Sequence, residues 1–125
     1  MKDEIISKKL EELSKSKFRN SFHLNKKMIN YIELKGINRI KEHMRDFIRD
    51  KLEVAYPKND GKQTPMKGHP VFIAMHACAC CCRSCLYKWH GIKKEKELSQ
   101  NEVNYIMLVL LTWIKLEYKK SSENR

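Results

Sequence analysis

The sequence predicts an all-α fold, a compact bundle of about five helices, from two observations. Apolar residues recur at three-and-four spacing along most of the chain, and no stretch shows the two-residue alternation of a half-buried strand. The four glycines and three prolines fall in one loop and at the ends of the periodic segments, where they stop helices rather than interrupt them.

The first helix is expected from Asp3 to Lys15, with Ile6, Leu10 and Leu13 on one stripe. A basic connection, KSKFRNSFHL, follows, and Phe18 and Phe22 are expected to anchor it. Asn25 suits the cap of a second helix ending at Gly36, a good left-handed stop. Asn38 is expected to cap a third, burying Ile40, Met44, Phe47, Ile48 and Leu52 and turning Lys41, Arg45 and Arg49 outward. Residues 55–68, AYPKNDGKQTPMKG, form the one long loop, and loops of this length within a domain are commonly functional. Pro70 opens and Gly91 closes a fourth helix or helix-turn rich in cysteine and histidine. Ser99 and Glu102 make a capping box for a fifth helix, apolar nearly all round. That helix is expected to be central, the alternative being a homodimer contact over 99–118.

At 125 residues the chain has room for one core, assigned to 1–120, with 121–125 as a frayed tail. Its opening, MKDEIISKKLEEL, lacks the pattern of a signal peptide, and the longest apolar run, Tyr105 to Leu111, is too short to span a bilayer. A cytoplasmic protein without membrane contact is expected. The net charge is +11, from 26 Lys and Arg against 15 Asp and Glu. The cations cluster in two acid-free stretches, between Glu12 and Glu33 and between Asp60 and Glu95. Such stretches suit a polyanion such as nucleic acid, with Lys35, Arg39, Lys62, Lys67, Arg83 and Lys88 as candidate phosphate contacts; a plain solvated surface is the alternative.

All five cysteines lie between Cys78 and Cys85, with His69, His76 and His90 around them. Neighbours so close in sequence close no stabilising loop, which leaves metal binding or thiol chemistry. One continuous helix would place His69, His76, Cys80 and His90 on one side and Cys78, Cys81, Cys82 and Cys85 on the other, at about 100° per residue. A turn at Cys82–Cys85 would instead make a Cys-x-x-Cys half-site that His76 and His90 could complete. The metal candidates are therefore His76, Cys81, Cys82, Cys85 and His90, with zinc the expected ion and copper or an iron–sulfur cluster as alternatives. A catalytic site, metal- or thiolate-based, would draw on Asp60, Gln63 or His69 beside it.

Several short motifs run together here: Phe18-Arg19 with Phe22, NDGKQTPM over 59–66, GHPVF over 68–72, His76-Ala77, Cys81-Cys82-Arg83, Cys85-Leu86 and KWHGI over 88–92. In these the chain resembles a family of small bacterial and phage proteins known as a domain of unknown function, and the likeness implies no activity. It does imply that Cys81, Cys82 and Cys85 are the shared thiols and His69, His76 and His90 the shared imidazoles, since threonines usually stand at 78 and 80 in that pattern. Residues 31–40, YIELKGINRI, are also similar to a helix-hairpin-helix that holds a DNA phosphate, although Asn38 stands where its second glycine belongs. Three functions stay open: a small basic zinc protein that binds nucleic acid, a small metal- or thiol-dependent enzyme, and a dimeric adaptor.

Overall fold

The computed structural model describes residues 2–123 and is built of helices and their connections, with seven helices and no strand among the described residues. They are α1 (Lys2–Ser14), α2 (Lys17–Asn20), α3 (Lys26–Lys35), α4 (Ile37–Lys51), α5 (Pro70–Ala77), α6 (Arg83–His90) and α7 (Gln100–Glu123). The all-α class is as expected, and the helix count is two higher for two local reasons. Ser16 caps a single turn, α2, inside the basic connection by accepting a hydrogen bond from the Arg19 amide. The Cys/His segment then breaks into α5 and α6.

The break follows from backbone bonding. Ala79 takes a left-handed conformation at φ 56°, its N–H reaches the His76 carbonyl, and the Cys80 N–H reaches the Met75 carbonyl at 2.8 Å. That pair of bonds is a Schellman stop, ordinarily built on glycine. An alanine there costs about 1 kcal/mol, and no glycine marks the site in the sequence. The helix boundary at Gly36 falls as expected, but Gly36 itself, not Asn38, precedes the first residue of α4. The reason is that α3 and α4 are joined by this one residue, whose φ of 83° and ψ of 153° make the whole turn.

α7 is the central helix, packing against α1, α3, α4 and α5. Its buried face is Val103, Ile106, Met107, Val109, Leu110 and Ile114, and Ser99 and Glu102 form the expected reciprocal capping box. It runs on to Glu123, past the expected fraying point. Ile6 and Leu13 of α1 and Ile40, Met44, Ile48 and Leu52 around α4 close the core. No helix among the described residues is long and apolar enough to cross a membrane.

The long connections are held by one side chain. Arg83, 1% exposed, donates to the carbonyls of Leu52, Val54, Lys93 and Lys96 at 2.6–3.1 Å. It therefore ties the chain leaving α4 to the segment entering α7, and it is no surface contact for a phosphate. Its Nε is left without a partner. Losing this guanidinium strands one buried and three partly buried carbonyls, so Arg83→Met should lower unfolding free energy by about 3 kcal/mol or more. Denaturant melts of the two proteins measure this, and a difference below about 1 kcal/mol would contradict the assignment.

Candidate metal centre

The stop at Ala79 and the start of α6 together build the site. Cys82 is the N-cap of α6, with extended backbone, and its sulfur accepts from the Cys85 amide at 3.3 Å. The other free amides of the first turn, Arg83 and Ser84, are taken by the Asp60 carboxylate at 2.9 and 3.1 Å. Asp60 also accepts from the Ser84 hydroxyl and from Gln63. Burial raises its pKa, but these hydrogen bonds outweigh it and hold the carboxyl below its ordinary value. Thr64 binds the Cys81 carbonyl at 2.7 Å. The loop 55–68 is thus a brace for this turn, and it fixes the cysteines that precede and open the helix.

As a result the sulfurs of Cys81, Cys82 and Cys85 all lie within 4.8 Å of one another. Cys81 and Cys82 are buried and Cys85 is half-buried. No other histidine, cysteine or carboxylate among the described residues joins the group. Arg19 of α2 closes one side. Its guanidinium donates to the Cys85 sulfur at 3.1 Å, the Cys81 sulfur at 3.6 Å and the His76 carbonyl at 2.7 Å. Arg19 is buried, and no carboxylate among the described residues lies within ion-pair distance of it.

The electrostatics follow from this packing. Burial opposes the charge on Arg19, yet hydrogen bonds and attraction to Cys81 and Cys85 raise its pKa overall. Cys85 is held well below the ordinary thiol value, first by hydrogen bonds from Cys81 and Cys82 and then by Arg19, against the pull of burial. Cys81 is pushed up because its proton is donated to Cys82 and Cys85 and because it is buried. Of the three thiols, Cys85 is thus the one whose surroundings most favour the thiolate.

The remaining predicted residues are placed elsewhere. His76 stacks on Phe22 and donates from Nε2 to the carbonyls of Thr64 and Pro65 at 3.0 and 3.1 Å. His90 donates to the Cys78 carbonyl and accepts from the Tyr105 hydroxyl, each at 2.8 Å, and its Nε2 is 3.7 Å from the Cys80 sulfur. Burial pushes the thiols of Cys78 and Cys80 up. Gln63 hydrogen-bonds Asp60, the Gly61 amide and the Lys51 carbonyl. His69 caps α5 by accepting from the Val71 amide, so its Nε2 donates to Nδ1 of His43 at 3.0 Å. Of the candidate phosphate contacts, Lys62, Lys67 and Lys88 are exposed, Arg39 pairs with Glu42, and Lys35 lies over the Tyr31 ring. Sequence reasoning missed Arg19 as part of the site, counting it only in a basic run, and missed His43 altogether. The one signal for Arg19 was its place between Phe18 and Phe22 in a motif shared with the resembled family.

Fold and cluster define a small all-α protein with a three-cysteine group able to hold a metal ion. Residues 7–115 match the family described as Domain of unknown function (DUF4186), and the chain belongs to that family. No solved structure matches it.

Two outcomes follow from the ionisation pattern. In the metal-free folded protein Cys85 should be alkylated first by iodoacetamide at mildly acidic pH, with Cys78 and Cys80 unmodified; peptide mapping that finds uniform labelling would contradict this. His69 is held down to about 4 from 6.5, by burial and then by His43. The unfolded chain thus binds the proton first, so this residue's contribution to stability is present above 6.5 and lost as pH falls toward 4. His69→Asn, which keeps a capping side chain, should flatten the acid side of the stability profile; an unchanged slope would count against the burial of a neutral imidazole.

Proposed function

We propose that this chain is a small metal-binding protein in which Cys81, Cys82 and Cys85 hold one zinc ion as thiolates. The observation that supports it most is Arg19: a buried cation facing two sulfurs and no carboxylate calls for negative charge on those sulfurs. Three thiolates and Zn²⁺ carry −1 together, and Arg19 brings the sum to zero. Cu(I) in the same trio would leave a net negative charge, and an iron–sulfur cluster ordinarily takes four thiolates. Sulfurs around zinc at about 2.3 Å stand roughly 3.8 Å apart, so the observed spread within 4.8 Å needs only a small contraction.

Three protein ligands leave the fourth position to water or an outside ligand, the arrangement of catalytic rather than closed structural zinc sites. That count favours a metal-dependent enzyme as the second reading. Asp60 and Gln63 brace the turn that carries the cluster in this account, and His69 caps α5 away from it.

Elemental analysis of protein purified without an affinity tag should find about one zinc per chain, lost in Cys85→Ser and kept in Cys78→Ser. Binding to the metal-free protein should release protons from the thiols that become thiolates; titration in buffers of different ionisation enthalpy reads the release, and none would count against thiolate ligation. Less than about a tenth of an equivalent of any transition metal in the wild type would overturn the proposal.

A further inference from the structure

The two acid-free basic stretches of the sequence meet at one surface groove. Lys27, Met28 and Tyr31 of α3 face Lys67, His69 and Pro70 at the start of α5 across a cavity of about 500 Å³. No carboxylate among the described residues lines it. Its volume falls in the range of small-ligand sites, roughly 300–1,000 Å³.

Its chemistry is divided. Met28, Tyr31 and Pro70 offer an apolar lining, with Tyr31 held edge-on by the His69 ring at 5.2 Å. Lys27 and Lys67 are exposed and cationic. The His69 ring is not a free donor, because its nitrogens are spent on the Val71 amide and on His43. The lysines also sit against the local field. α3 opens on Lys26 and Lys27 with no acid in its first turn, and α5 has none either, although a helix N-terminus favours negative charge. A bound anion would relieve this repulsion.

We propose that the groove binds a nucleotide unit, free or within a single strand. The base lies against Tyr31, Met28 and Pro70, and the phosphate sits between Lys27 and Lys67. An aromatic ring joined to an anion matches the paired apolar and cationic linings, whereas inorganic phosphate would use only the lysines and a nucleoside only the apolar part. This inference does not depend on the metal reading.

The test is amide chemical-shift titration of the full chain with nucleoside monophosphates, the parent nucleosides, inorganic phosphate and a short single-stranded oligonucleotide. Nucleoside monophosphate should move the amides of residues 25–31, 67–69 and 71 more than nucleoside or phosphate does. Lys27→Ala with Lys67→Ala should weaken binding at least about tenfold, while Lys119→Ala, outside the groove, leaves it unchanged. A tighter oligonucleotide assigns the unit to a strand, and equal per-site affinity assigns it to free nucleotide. Absence of shifts in these residues up to about 5 mM nucleotide would overturn the proposal. So would an undiminished affinity in the double lysine variant, or inorganic phosphate binding as well as nucleotide.

Discussion

A guanidinium taken out of water needs opposite charge or a full set of acceptors, and the two buried arginines of this protein meet that requirement differently. Arg83 keeps its charge and spends four hydrogen bonds from its two terminal nitrogens on backbone carbonyls, serving as a hub between connections, with Nε left over. Arg19 has one carbonyl and two sulfurs. These three hydrogen bonds tie the three-cysteine turn to the N-terminal segment, and they favour the thiolate form of Cys85. Phe22, stacked on His76 at 5.4 Å, and Phe18, edge-on to Phe22 at 5.1 Å, pin the turn that carries Arg19.

The turn itself is assembled from both directions in sequence. From upstream, Asp60 and Thr64 of the long loop satisfy the amides of α6 and the Cys81 carbonyl. From within, the left-handed Ala79 ends α5 and lets the chain turn through Cys80 and Cys81 to the extended Cys82 that caps the next helix. A helix carried straight through would have sent these thiols to separate levels. Capping by Cys82 then leaves Cys85 one turn on, on the same side, with its sulfur partly open to solvent. Local backbone rules thus set the placement of Cys82 and Cys85, whereas the counter-charge of Arg19 and the bracing by Asp60 and Thr64 arrive through tertiary contacts.

Much of this was legible in the sequence. The helical class, the central apolar helix with its Ser99–Glu102 box, the stop at Gly36 and the irregular loop all follow from periodicity and cap chemistry, which are local. The two readings of the Cys/His segment were one continuous helix or a turn at Cys82–Cys85; the chain instead breaks earlier, between Ala77 and Arg83, because of Ala79, a residue that ordinarily continues a helix. The cluster of Cys81, Cys82 and Cys85 was among the candidates, but spacing alone also admitted His76 and His90. What removes those two from the group are partners far along the chain: carbonyls of the loop for His76, and Tyr105 for His90. Arg19 and His43 were invisible for the same reason, since tertiary packing, not neighbouring residues, gives each its role.

The central claim is that Arg19 balances a metal–thiolate charge. Competition titration against a chelator of known affinity, with zinc and with wild type and Arg19→Met side by side, tests it most directly. The account predicts zinc binding weakened at least about tenfold in the variant while the folded helical signal is kept. Equal zinc affinity in the two proteins would contradict it.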